Sequence, residues 1–287
     1  MSVPAIAVDS ISYAYGDLEA VRSISFEVAS GEILGFLGPN GAGKSTTIKI
    51  LTGQLQSKSG VARILGQDVT RDDPQVQAQI GVCFEEKNLY LSMTAEENLR
   101  FFASLFGLKH VDTDGLLRRV GLADRARDRV SGFSKGMRQR LMVARALVNE
   151  PKVLFLDEPT DGLDPVSSKA IRTLIQQEAE RGAAVLLTTH DMAEADELSD
   201  RVAFINEGRL HAIDTPENLK LKYGKRSVKV RARQGGEIIE HSVALDASDA
   251  GEQLKTAVVT EGLLTIHTEE ATLEDIFIQM TGRRLKE

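Results

Sequence analysis

Residues 32–53 read EILGFLGPNGAGKSTTIKILTG. The opening EILGFLG is a short apolar run with the character of a strand. It breaks into glycines at Gly38, Gly41 and Gly43, and the polar pair Ser45-Thr46 leads into STTIKILTG, which reads as a helix start. Strand, glycine loop and helix in that order open a parallel α/β core. Within the loop, GPNGAGKST is a full match to the phosphate-binding pattern G-x-x-x-x-G-K-[ST]. Holding a triphosphate needs backbone N–H groups turned inward, which glycine dihedrals permit, and the following helix aims its positive dipole end at the anion. Gly38, Pro39, Asn40, Gly41, Ala42, Gly43, Lys44, Ser45 and Thr46 are the candidate nucleotide contacts. Lys44 adds a point charge for the β- and γ-phosphates, and the Ser45 hydroxyl is a hard oxygen ligand for Mg²⁺.

Outward from that loop the texture changes by segment. From Ala5 to about Val28, apolar and polar residues alternate in short runs, which predicts antiparallel strands turning at Gly16-Asp17. VARILGQDV and QIGVCFEE read as further strands. Thr94 to about Arg129 carries helical periodicity in NLRFFASLFGL and DGLLRRVGL, and RQRLMVARALVNE is a second helical stretch. KVLFLDEP and AAVLLTTH are near-continuous apolar runs, the pattern of central parallel strands buried on both faces. Near Lys220, KLKYGKR reads as a linker. Beyond it RSVKVRAR and EIIEHSVAL alternate around Gly235-Gly236, which predicts a hairpin. A helix near Ser248 to Thr256, the strand GLLTIHT and the helix TLEDIFIQM complete a small α+β module. The expected division is a nucleotide-binding domain over 1–220, with a helical part at about 88–145, and an accessory α+β domain over 221–287.

Composition bounds the function. The 287 residues are 42% hydrophobic and 27% charged, an ordinary globular balance. A net charge of -7 disfavours nucleic acid as a partner. The lone Cys83 excludes an intrachain disulfide, fits a reducing compartment and reads as a buried strand residue. The opening MSVPAIAVDS lacks the features of a signal peptide, and no apolar run approaches the roughly 20 residues of a membrane-spanning helix. The expectation is a cytoplasmic chain that acts at a membrane only by docking.

Downstream segments narrow the class. They are FSKGMRQR (Phe133 to Arg140), VLFLDEPT (Val153 to Thr160), DGLD (Asp161 to Asp164) and TTH (Thr188 to His190). Asp157, ending an apolar strand, is placed to hold the Mg²⁺ shell. Glu158 points the other way, where a carboxylate can orient and deprotonate an attacking water. In order and spacing these segments resemble the nucleotide-binding domain of ATP-binding cassette (ABC) proteins over nearly all of residues 5 to 220. FSKGM resembles the signature loop usually written LSGGQ, sharing Ser134 and Gly136 with it, and DGLD resembles the D-loop. The resemblance implies a P-loop NTPase with a mixed parallel core sheet, an antiparallel β subdomain and a helical subdomain. It implies ATP and Mg²⁺ as ligands and His190 at the γ-phosphate. It further implies a dimer, with a second copy or a homologous subunit, in which Ser134, Gly136 and Asp164 reach ATP held by the other protomer. Tyr15 resembles the aromatic that stacks on adenine, and as a single aromatic it reads equally as core.

The chain departs from the family pattern at Lys135 and Met137, where a glycine and a glutamine are usual, and at Glu85, where the family carries a metal-touching glutamine. Two readings of Glu85 stand: a charged, harder Mg²⁺ ligand, or a solvent-facing residue. The stripe Leu99, Phe102, Leu105 and Phe106 reads either as the docking face for a membrane subunit or as a self-contained helical core. The tail ATLEDIFIQMTGR resembles that of daunorubicin-resistance-type drug and polysaccharide exporter ATPases, which pair with a separate multi-span permease. The accessory module is either regulatory, dimer-stabilising or an inert lid. The expected function is an exporter ATPase on the inner face of the cell membrane; the alternative is an ATP-driven regulatory module with slow turnover.

Overall fold

A computed structural model describes residues 3–71, 73–84, 88–224, 227–234, 237–259, 262–269 and 271–282. The chain divides into two units, the first ending at Ile213 and the second beginning at Asp214. The first unit opens with β1 (Ile6–Tyr15) and β2 (Leu18–Val28), antiparallel from Ile6 opposite Val28 to Tyr15 opposite Leu18. β3 (Ile33–Leu37), α1 (Lys44–Leu51), β4 (Ser59–Ile64) and β5 (Gln67–Asp68) follow. A short α2 (Pro74–Gln77), capped by Asp73 and not foreseen in the sequence, precedes β6 (Ile80–Cys83). The antiparallel sheet runs β2-β1-β4-β5.

The helical stretch consists of α3 (Ala95–Leu105), α4 (Thr113–Arg119) and α5 (Lys135–Ala146). Each starts where a side-chain oxygen, from Thr94, Asp112 or Ser134, accepts a first-turn N–H that the helix itself leaves without a partner. The apolar stripe of α3 divides between core and surface. Leu99 is fully buried and Phe102 is half-buried under the Arg145 guanidinium, 4.6 Å from its ring centroid. Leu105 is 65% exposed.

The unit closes with β7 (Val153–Asp157), α6 (Pro165–Glu180), β8 (Ala184–Thr189), α7 (Met192–Leu198), β9 (Arg201–Asn206) and β10 (Arg209–Asp214). The second sheet runs β10-β9-β3-β8-β7-β6, with β9, β3, β8, β7 and β6 parallel. Every residue of β3, β7 and β8 is buried, as unbroken apolar runs require. Phe36, Phe155 and Phe204 are among the largest fully buried side chains, each contributing about 1.5–3 kcal/mol of apolar burial. Cys83 is buried, as its setting in β6 predicts. Register then positions the chemistry. Leu37 lies opposite Thr189 and Asp157 opposite Thr188, so the segments leaving β3, β7 and β8 emerge from one edge of the sheet.

In the second unit α8 (Pro216–Tyr223) takes in residues 220–223 of the stretch read as a linker, of which 225 and 226 lie outside the described residues. Thr215 caps it, Pro216 fixes its first turn and Leu219 is buried. These signals outweigh the basic, glycine-punctuated sequence KLKYGKR, and the unit begins at Asp214. β11 (Ser227–Gln234) pairs with β12 (Glu237–Ala244) in the hairpin register, Gln234 opposite Glu237; the turn residues 235 and 236 lie outside the described residues. After α9 (Ala250–Val259), β13 (Leu263–Glu269) completes an antiparallel sheet in the order β12-β11-β13. Val228, Val230, Val243 and Ala257 form its small core. α10 (Leu273–Thr281) packs on α8 and buries Leu273, Ile276 and Phe277. Among the described residues no helix is long and apolar enough to cross a membrane.

Candidate functional site

The loop between β3 and α1 is wound tightly around Lys44. Lys44 is buried, and its Nζ donates to the carbonyls of Gly38 at 2.6 Å and Pro39 at 3.2 Å. Gly43 precedes α1 with φ +109°, a backbone that side-chain-bearing residues rarely adopt, and a Cβ there would collide with the Ala20 carbonyl oxygen. No side chain caps α1 among the described residues. Its first-turn N–H groups are therefore a ready anion site, strengthened by the helix dipole.

The ends of β7 and β8 bring the acids and the histidine to the same edge. Asp157 is buried and accepts a hydrogen bond from the Thr188 hydroxyl. Glu158 has φ +51°, strained for a residue with a side chain, and its N–H donates to the Thr188 carbonyl at 3.1 Å. The Gln139 amide on α5 donates to the Glu158 carbonyl at 3.3 Å. Held this way, the Glu158 carboxylate turns to other partners than Asp157's: its Oε2 is 2.9 Å from His190 Nδ1 and its Oε1 3.9 Å from Lys44 Nζ. Burial pushes the Glu158 carboxyl above the usual range, and His190 and Lys44 oppose that rise without cancelling it. A carboxylate in this setting is a stronger base than an exposed one.

Among the described residues no cluster of three or more His, Cys, Asp or Glu side chains is arranged to hold a metal. Ser45 and Asp157 nonetheless fit Mg²⁺, which takes one or two protein oxygens and completes its shell with phosphates and water. Glu85, the third metal candidate, lies outside the described residues.

Ser134, Gly136 and Asp164 sit at two neighbouring helix starts. The Ser134 hydroxyl accepts from Met137 N at 3.2 Å and begins α5. Lys135 reaches Asp161 Oδ2 at 2.7 Å, and a Cβ on Gly136 would stand 3.2 Å from Leu163 Cδ2. Asp164 caps α6 through Val166 N at 3.1 Å and Ser167 N at 3.0 Å, and the bonds to Ser167 hold its carboxyl below the usual range. The first turn of α6 presents Val166 80% exposed. Tyr15, at the end of β1, is 45% exposed with its ring edge-on to Tyr13, so it is surface rather than core. Sequence reading missed the Lys135–Asp161 pair, the Gln139 contact and the role of Thr188. Only Lys135, standing where a glycine is usual, gave a signal.

A protein-family profile described as ABC transporter matches residues 21–161. The fluoroquinolones export ATP-binding protein of Mycobacterium tuberculosis is 46% identical over 267 residues, covering 93% of this chain and 89% of that protein. The daunorubicin resistance ATP-binding protein of Streptomyces coeruleorubidus is 34% identical, covering 100% of this chain and 99% of that protein. A solved structure of an ATP-binding subunit of an ABC transporter superposes with a TM-score of 0.70 at 31% identity, covering 76% of this chain and 93% of that one.

Proposed function

The chain belongs to the ATP-binding subunits of ABC transporters and is an ATPase, and on that premise we propose that it drives export through a separate multi-span membrane subunit, hydrolysing ATP at two sites shared across a dimer. The observation that carries this reading is the cluster of buried Lys44, largely covered Glu158 and partly exposed His190 at one edge of the parallel sheet. The N–H groups of Gly41 to Ser45 cradle the phosphates, and Lys44 exchanges its contacts with the Gly38 and Pro39 carbonyls for phosphate oxygens. Ser45 and Asp157 would hold Mg²⁺, which when bound would neutralise charge developing on the phosphates. Glu158 accepts a proton from the attacking water, and His190 fixes the carboxylate in place and reaches the γ-phosphate. The exposed ring of Tyr15 stacks on the base.

The second half of each site comes from the other protomer. Ser134, Gly136 and Asp164 lie at exposed helix starts beside Val166, a surface that offers a hydroxyl, backbone N–H groups and apolar area to a second copy. Of the candidate docking stripe Leu105 and Phe106 are exposed, as are Tyr90 and Leu91 ahead of it, and these apolar side chains are the ones offered to the membrane subunit, which holds the chain on the inner side of the membrane. Export is supported by the relatives named for fluoroquinolone export and daunorubicin resistance.

A mixing experiment tests the shared site. Lys44→Ala and Ser134→Ala chains are each expected to be nearly inactive. A mixed dimer contains one site bearing neither lesion, so turnover of the mixture rises above the sum of the two. No gain on mixing overturns the shared-site reading. Drug accumulation in cells carrying the chain with its membrane partner tests export: equal accumulation with wild-type and Lys44→Ala chains overturns it.

A further inference from the structure

Glu194 is a buried acid that the hydrolytic chemistry above does not use. It is 4% exposed. Its position in sequence predicts an ordinary capping role. Asp191 caps α7 through Ala193 N and Glu194 N, and Glu194 stands at the third helical residue, the spacing of a capping box. In such a box the third residue bonds back to the N–H of the cap. Thr94 with Glu97 and Thr272 with Asp275 close that way in this chain. Glu194 does not. The Asp191 N–H goes instead to the Thr189 hydroxyl at 3.0 Å.

Glu194 Oε2 accepts from two hydroxyls on different strand exits, Thr160 Oγ1 at 2.8 Å and Thr189 Oγ1 at 3.0 Å. Thr160 stands two residues after Glu158, and Thr189 directly precedes His190. Its other oxygen, Oε1, is buried with no hydrogen-bond partner among the described residues. A buried carboxyl with one orphan oxygen is costly, so capping alone does not account for it.

We propose that Glu194 is a positioning residue for hydrolysis, clamping the β7 and β8 exits through Thr160 and Thr189 so that His190 and Glu158 stay in contact. Thr160 also leads directly into Asp161–Asp164, so the same clamp ties the surface assigned to the second protomer to the histidine. The geometry supports this: Glu158 sits in a strained backbone, and a strained residue keeps its place only when its surroundings over-determine it. Thr188 supplies one link between the two exits, through Asp157 and the Glu158 N–H. Glu194 supplies the other, on the far side of the Glu158–His190 contact in sequence.

The inference rests on Glu158 and His190 being the hydrolytic pair, so the experiment first compares wild type with Glu158→Gln. Turnover that survives in Glu158→Gln removes that assignment and leaves Glu194 unsupported. With the assignment standing, Glu194→Ala is expected to lower kcat roughly 10- to 100-fold, the scale of a small misplacement of reacting groups, with KM for ATP held within about threefold. Glu194→Gln, whose carbonyl oxygen accepts both hydroxyls, is expected to recover kcat to within about threefold of wild type. The inference is overturned by a Glu194→Ala chain with wild-type kcat, by a KM effect without a kcat effect, or by Glu194→Gln as slow as Glu194→Ala. If Glu194→Ala does not fold, Thr160→Val and Thr189→Val replace it. Each is expected to lower kcat at least about threefold with KM unchanged, and wild-type kcat in both overturns the proposal.

Discussion

Replacing Glu158 with glutamine keeps the shape of the side chain and removes its charge from a site where the side chain is 12% exposed. The effect on folding is set by opposed terms. At 3.9 Å from Lys44 Nζ, the lost attraction is about 4 kcal/mol at an effective dielectric of 20. Against it stands the desolvation of a buried carboxylate, which costs several kcal/mol per ion. Burial outweighs the opposing contacts with His190 and Lys44, since the carboxyl is held above its usual range. The variant is therefore expected to unfold within about 1 kcal/mol of wild type, a Tm shift of no more than about 4 °C for a chain of this size. Catalysis responds on another scale. Without an acceptor for the water proton, kcat is expected to fall roughly 10²–10⁴-fold, some 3–5 kcal/mol of barrier. Nucleotide affinity holds, because Lys44 and the α1 N–H groups are untouched. Phosphate release, equilibrium binding of a fluorescent ATP analogue and a thermal scan on one preparation separate the terms. A kcat within about threefold of wild type refutes Glu158 as the base. A large loss accompanied by a collapse in Tm refutes the energetic argument instead.

Three further outcomes follow from local geometry. Gly43→Ala places a Cβ against the Ala20 carbonyl at φ +109°, whereas Gly41, at φ +78°, has open space around it. Gly41→Ala then costs backbone strain alone, about 1–3 kcal/mol, and Gly43→Ala is expected to be the less stable and to bind nucleotide at least about tenfold more weakly than Gly41→Ala; equal behaviour on a thermal scan and in binding contradicts the clash. Thr94→Ala removes one arm of the reciprocal cap on α3, Glu97 N to Thr94 Oγ1 at 3.1 Å, and is expected to cost about 1 kcal/mol in denaturant unfolding. Glu194→Gln is expected to diverge from wild type as pH rises. Burial lifts the Glu194 carboxyl, with Asp191 adding to the rise and the hydroxyls of Thr160 and Thr189 and the charge of Arg172 opposing it. A folded-state value above the unfolded one gives stability that is complete below the ordinary carboxylate range and is lost as pH climbs through the folded value. Glutamine has no such loss, so the variant's Tm minus the wild-type Tm increases from about pH 5 to about pH 8, and a constant difference refutes it.

What the sequence made legible is what neighbouring residues decide. The phosphate loop, the acid pair and the histidine each end a short apolar run, and parallel strands deliver run ends to one edge whatever the connecting helices do. Reading KVLFLDEP and AAVLLTTH as fully buried strands therefore located Asp157, Glu158 and His190 as well as describing the sheet. The misreading of α8 has the opposite cause. Its boundary signals, Thr215-Pro216, are local and were present, but only one residue of its core, Leu219, is buried, so periodicity gave too weak a pattern against a basic surface.

Lys135 and Glu194 were illegible for a stronger reason. Lys135 is 26 residues from Asp161, and Glu194 spans hydroxyls 34 and 5 residues away, so neither contact leaves a periodic trace. Glu194 was also disguised, since its spacing from Asp191 already satisfied a local rule. A residue that meets a local rule in sequence and breaks it in space has another partner to satisfy. The acids three positions after the caps of α3 and α10, Glu97 and Asp275, stay exposed and bond back to the cap, whereas Glu194 of α7 is buried and turns away from its own helix toward the exits of β7 and β8. The departure is visible only once β7 and β8 are in register, with Asp157 opposite Thr188.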